Sequence, residues 1–147
     1  MSDAAKLYNT DFYAWTKQQA DLLKDHQFVK LDIDHLLEEI ISMGKSERRE
    51  LIARLEILLV HLLKWKYQPT FRSNSWKLTI EEQRERIQEH LADNPSLGTP
   101  NQLAEDLKKA YKHARTGASK ETGLERSTFP ISCEWDIDSL FDLGFYP

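Results

Sequence analysis

Apolar residues return at helical spacing along most of the chain, in blocks separated by polar or breaking residues. From Tyr8 they recur at Phe12, Trp15, Leu22 and Leu23, with Thr10 or Asp11 placed to cap a first helix. Ile33, Leu36, Leu37, Ile40 and Ile41 follow the i, i+3, i+4, i+7, i+8 template of a second helix, which begins beside Asp32 and Asp34 and meets Gly44 as a stop. Ser46 to Glu50 then opens a central helix carrying Leu51, Leu55, Leu58, Leu59, Leu62 and Trp65, ended near Gln68 by Pro69. A fourth helix, capped by Ser73 or Ser75, carries Trp76, Ile80, Ile87 and Leu91 and breaks at Asn94-Pro95. Thr99-Pro100 opens a fifth, with Leu103, Leu107, Tyr111, Ala114 and Ala118 on its stripe and Gly123 as a left-handed stop. Ala110, Ala114 and Ala118 share a face that lets a neighbouring backbone come close. Past Phe129-Pro130, Asp136 can cap one last turn.

No segment alternates with period two, so the pattern predicts an all-α fold: a single-domain helical bundle, residues 1–147, of four to five main helices with short connections and a short C-terminal helical turn. The acidic, aromatic segment 125–147 is expected to pack on that bundle. A length of 147 residues suffices for one core without cross-links. Lysine and arginine number 20 against 24 acids, a formal charge of -4, which disfavours nucleic acid as a general partner. Cys133 is the only cysteine, so an intramolecular disulfide is impossible and a cytoplasmic, reducing setting fits best. The start, Met1 to Lys6, has no apolar leader, and the run Ile57 to Leu63 is too short to cross a bilayer, so no membrane partner is expected.

Candidate chemistry concentrates around the end of the central helix. On a helical projection Glu50, Arg54, His61 and Gln68 lie together away from the leucines, with Lys64 beside them. Such a strip can hold an anion, with imidazole as acid, base or ligand, or it is a solvated face. From Lys64 to Lys77 cations alternate with Trp65, Tyr67, Phe71 and Trp76 and no acid intervenes. That composition suits a protein partner, a small anionic ligand or stacked bases, while Glu134, Asp136, Asp138 and Asp142 offer an intramolecular complement. Gln83 and Arg84 lie near the apolar stripe of helix four, where Arg84 needs a partner such as Glu47, Glu50 or a ligand carboxylate. His26, His90 and His113 stand among polar residues and read as surface. Glu-x-x-His is absent, so neither a metal nor another cofactor is expected, and no nucleophile motif involves Cys133.

Asp11 to Trp15, Leu37 to Ile40, Met43 to Glu47 and His61 to Trp65 together resemble the bacterial family Domain of Unknown Function 29, abundant in cyanobacteria. Gln68-Pro69, Arg72, Ser75-Trp76, Ile80, Gln83-Arg84, Pro95 to Leu97, Tyr111, Glu121 to Leu124, Phe129-Pro130 and Cys133 extend the resemblance in order, with Glu134 as a departure where the pattern expects proline. The resemblance implies a small all-helical protein and no established activity. It also places His61, Lys64, Trp65, Gln68, Arg72, Trp76 and Arg84 in the pattern's centre, and these form the candidate pocket. The leading expectation is an interaction or oligomerisation module, taking a protein partner or a second copy on the basic aromatic hinge between helices three and four. Its alternative is a small ligand-binding protein or enzyme that holds an anion at His61, Lys64, Arg72 and Arg84.

Overall fold

A computed structural model describes residues 3–147; Met1 and Ser2, part of the segment read for a leader, lie outside the described residues. It contains α1 (Asp3–Thr10), α2 (Phe12–Lys24), α3 (Ile33–Tyr67), α4 (Asn74–Asp93), α5 (Pro100–Thr122) and α6 (Ile137–Phe141), joined by short 3₁₀ turns, and no strand among the described residues. The chain is therefore all-α. Its packing divides into two compact units, one through Ser46 and one from Glu47.

The largest departure from the sequence reading is α3. Gly44 does not stop a helix; it lies inside one that continues from Ile33 to Tyr67. An interior glycine costs about 1 kcal/mol relative to alanine but keeps its N–H, so it weakens a helix without ending it. Lys45 to Glu50 are adequate helix formers and carry the hydrogen bonding onward. The chain also has an N-terminal helix the apolar pattern passed over. Asp11 separates α1 from α2: its N–H bonds back to Leu7 O at 2.7 Å, and its carboxylate accepts from Ala14 N at 3.0 Å as the N-cap of α2.

In the first unit Trp15 and Gln19 are buried, and Asp32 ties the helices together. Its carboxylate accepts from Trp15 Nε1 at 3.1 Å and lies 2.7 Å from His35 Nδ1, while its own N–H donates to Gln19 Oε1 at 2.8 Å. Burial alone would raise the Asp32 carboxyl, but the bonds from His35 and Trp15 outweigh it and hold the group below its ordinary value. Tyr8 stacks on His35 with ring centroids 3.9 Å apart and donates to Glu39, and that bond pushes its phenol up to about 12.

The second unit has the dense core. Leu51, Leu55, Leu58, Leu59 and Leu62 of α3 are fully buried against Ile80 and Ile87 of α4, Ala110, Ala114 and Ala118 of α5, and Leu140 of α6. Each such leucine contributes roughly 1.5–3 kcal/mol through apolar burial. The small face of α5 works as its spacing suggests: a Cβ added at Gly117 would stand 3.1 Å from Val60 Cγ2, so the two helices touch almost backbone to side chain. Ser73 caps α4 by accepting from Trp76 N, Asp136 caps α6 by accepting from Ser139 N, and Gly123 ends α5 at φ 75°. Arg48 Nε donates at 2.8 Å to Asp106, a fully buried carboxylate that Gln102 also contacts. The buried Asp106 charge is thus paired, as desolvation demands.

Candidate functional site

The hinge between α3 and α4 is built by Pro69, which ends α3 and starts a 3₁₀ turn before the Ser73 cap. This reversal returns the chain so that α4 side chains meet the last turns of α3. Lys64 Nζ lies 4.6 Å from the Trp76 ring centroid and 3.8 Å from Glu121. The Arg72 guanidinium covers Trp65 at 4.9 Å, and its Nε donates to the Trp65 carbonyl at 2.8 Å. Gln68 Nε2 reaches Thr122 O at 3.4 Å. Lys64 with Trp76 and Arg72 with Trp65 therefore satisfy one another, while Phe71 stays exposed.

The C-terminal segment closes over the same place. Tyr146 packs on Trp65 with centroids 5.0 Å apart, Arg72 Nη2 reaches Pro147 O at 3.4 Å, and Lys66 Nζ reaches Glu134 at 3.4 Å. Among the described residues, the tail acid that pairs with a hinge cation is Glu134, while Asp136 caps α6 and Asp142 accepts from Gly144 N. Phe129 and Leu140 are buried in the core.

Arg84 does not meet Glu47 or Glu50. Its buried guanidinium donates from Nε to Leu140 O at 2.8 Å and from Nη2 to Phe145 O at 2.7 Å, with the Tyr146 ring 5.4 Å away. Burial pulls the Arg84 pKa below its ordinary value, with Tyr146 and Asp142 acting against it. Because two backbone carbonyls receive this cation, its geometry is that of a fastener between α4 and the tail.

His61 faces a different direction. It lies on a cavity of ≈ 280 Å³ lined by Glu56, Ile57, Val60, Gly117, Lys120 and Glu121, and its Nδ1 lies 2.8 Å from Ile57 O. Burial holds the imidazole below its ordinary pKa, and Lys64 adds to that effect. Of the candidate residues, Arg72, Trp65 and Arg84 join in one run of cation and ring contacts through Tyr146, Lys64 meets Trp76 and Glu121, and His61 lies outside these contacts on the cavity that Glu121 also lines.

His90 is buried rather than on the surface, a correction to the polar look of its neighbours. Its Nε2 lies 2.8 Å from Glu47 O and its Nδ1 3.4 Å from Glu50. Glu47, Glu50 and His90 bring ligand-type atoms within 4.8 Å of one another. Arg54 already lies 2.9 Å from Glu50, however, so that carboxylate carries its own cation. The group is a polar cluster joining α3 to α4.

Two further surfaces escaped the sequence reading. Ile33, Leu37, Ile40, Ile41 and Met43 of α3 are 48–61% exposed and form an apolar arc. On α5, Lys108, Lys112 and Arg115 line a cavity of ≈ 610 Å³ with Leu107, Tyr111 and Ile131. The signal for the second was legible as cations at i, i+4 and i+7 beside an apolar stripe, a pattern that also describes an ordinary solvated face.

Residues 7–146 match the family model described as Domain of unknown function DUF29. No curated protein and no solved structure matches the chain.

Proposed function

The chain belongs to the DUF29 family, and from that premise we propose that it is an interaction module that self-associates, with the apolar arc of α3 as its contact surface. The observation that carries this reading is the exposure of Ile33, Leu37, Ile40 and Ile41, which repeat at a helix–helix seam spacing on the solvent side. His35 and Glu39 face Tyr8 instead, so the arc lies on the side of α3 away from α1. An apolar stripe of this length exposed on a helix gains by pairing with another.

A second copy is the occupant that suits the flanking charges. Asp34 and Glu38 lie along one edge of the arc near the start of α3, and Lys45 lies along the same edge further on. An antiparallel pair centred near Ile41 brings each Glu38 toward the other copy's Lys45, whereas a parallel pair sets Glu38 against Glu38. The hinge is the weaker surface because its cations and rings already meet one another and the tail.

Light scattering behind size exclusion tests the reading. The wild type is expected to run as a dimer at micromolar concentration, and Leu37→Glu with Ile40→Glu as a monomer of unchanged helicity. A wild type that stays monomeric at several hundred micromolar overturns it.

A further inference from the structure

The cavity on α5 is independent of the self-association surface and has the features of a small-molecule site. Its volume of ≈ 610 Å³ lies within the span typical of ligand pockets, roughly 300–1,000 Å³. One wall is α5, presenting Ala104, Leu107 and Tyr111; the other is the chain at Ile131 to Cys133. That second wall is fixed in place. The buried Tyr111 hydroxyl donates to Pro130 O, and Arg115 Nε donates to Phe129 O at 3.1 Å. Ile131 is 87% exposed at the rim, an apolar side chain held in water beside an open cavity.

The polar part of the lining has one sign. Lys108, Lys112 and Arg115 border the cavity, no carboxylate does, and none of the three makes an ion pair among the described residues. This contrasts with Lys64, Lys66, Arg48 and Arg54, each of which has an acid within reach. Three cations without counter-charge around an apolar cleft complement a molecule with an apolar body and an anionic head.

We infer that the cleft between α5 and residues 130–133 binds a small amphipathic acid, an acyl-chain carboxylate, with its chain along Leu107, Tyr111 and Ile131 and its head at Lys108 and Lys112. Arg115 fixes the far wall through Phe129 and adds positive potential. Cys133, the only thiol in the chain, borders the cleft and reports on its occupancy without taking part in binding.

The experiment measures the rate of Cys133 alkylation by neutral iodoacetamide, read by mass spectrometry, against increasing decanoate below its micelle-forming concentration. Decanoate is expected to slow alkylation at least fivefold in a saturable manner, with decanol at least tenfold weaker at equal concentration. Lys108→Gln with Lys112→Gln is expected to abolish the preference for decanoate, with protection expressed relative to that variant's own rate without ligand. Equal protection by decanol and decanoate overturns the acid specificity. Absence of protection by either, in a protein whose Cys133 reacts freely, overturns the site itself.

Discussion

Arg84 Nε donates to the carbonyl oxygen of Leu140 at 2.8 Å, so a charge on α4 is held by the backbone of α6, while its Nη1 is buried without a hydrogen-bond partner among the described residues. A second bond from Nη2 to Phe145 O extends the hold past the end of that helix. The arrangement explains how a five-residue helix persists at all: α6 is too short to be stable by its own hydrogen bonds and depends on what it packs against. Replacing Arg84 by methionine keeps the volume and leaves two carbonyls unpaired. A loss of about 2–4 kcal/mol is expected in urea unfolding. Lysine is expected to recover less than half, because one ammonium cannot serve both carbonyls in the geometry of a guanidinium.

Gly44 inside α3 and Gly123 just past the end of α5 are expected to respond to alanine with opposite signs. Gly44 lies in the interior of α3 with nothing within 4 Å of an added Cβ, so Gly44→Ala removes chain freedom from the unfolded state and gains about 0.5–1 kcal/mol. Gly123 also has open space around it, but its φ is 75°, where a Cβ costs about 1–2 kcal/mol. Thermal unfolding of both variants at low protein concentration checks the pair.

His61 sets an expected pH dependence. Burial lowers its folded pKa below the ordinary 6.5, so between the two values the unfolded chain binds the extra proton. Its contribution is then complete above about 6.5 and is lost as pH falls toward the folded pKa. The slope cannot exceed about 1.4 kcal/mol per pH unit for one group. Urea titrations at pH 7.5 and 5.5 are expected to show the wild type losing more stability on acidification than His61→Gln. Equal losses would contradict the account.

The Asp32 cluster should control order in the first unit. Asp32→Ala removes the acceptor of Trp15 Nε1 and His35 Nδ1 together. Hydrogen exchange in α2 and the first turns of α3 is expected to accelerate at least tenfold, with α4 and α5 protected as before. Loss of protection throughout both units would contradict this.

Much of the fold was legible because caps and breakers act locally. Ser73, Asp136, Pro69 and Gly123 stand at element ends where their chemistry places them. Gly44 misled because a glycine stops a helix only when the chain beyond it leaves helical geometry, and Lys45 to Glu50 do not. The position of α1 was hidden because its eight residues, DAAKLYNT, are too short a window to establish a stripe, and none of them is buried. Among the candidate residues, projection separated His61 from the leucine face but could not show its orientation toward α5, which depends on the close approach of Gly117 to Val60. Arg84 was marked as needing a partner, but backbone carbonyls have no sequence signature. His90 read as surface because its neighbours Glu89, Asp93 and Asn94 are polar, while the groups that bury it come from the start of the second unit, at Glu47 and Glu50.

Orientation of the self-associated pair is the most direct test of the proposed function. With Cys133 replaced by serine, a spin label at residue 41 is expected to give one short inter-label distance, near the helix spacing of about 8–10 Å plus the label arms. A label at residue 34 is expected to give a separation longer by roughly 10 Å, because antiparallel copies carry it away from the dyad by an axial offset of about 20 Å that combines at right angles with the lateral spacing. Equal distances at the two positions would contradict the antiparallel pair, and no measurable distance at either would contradict self-association through α3.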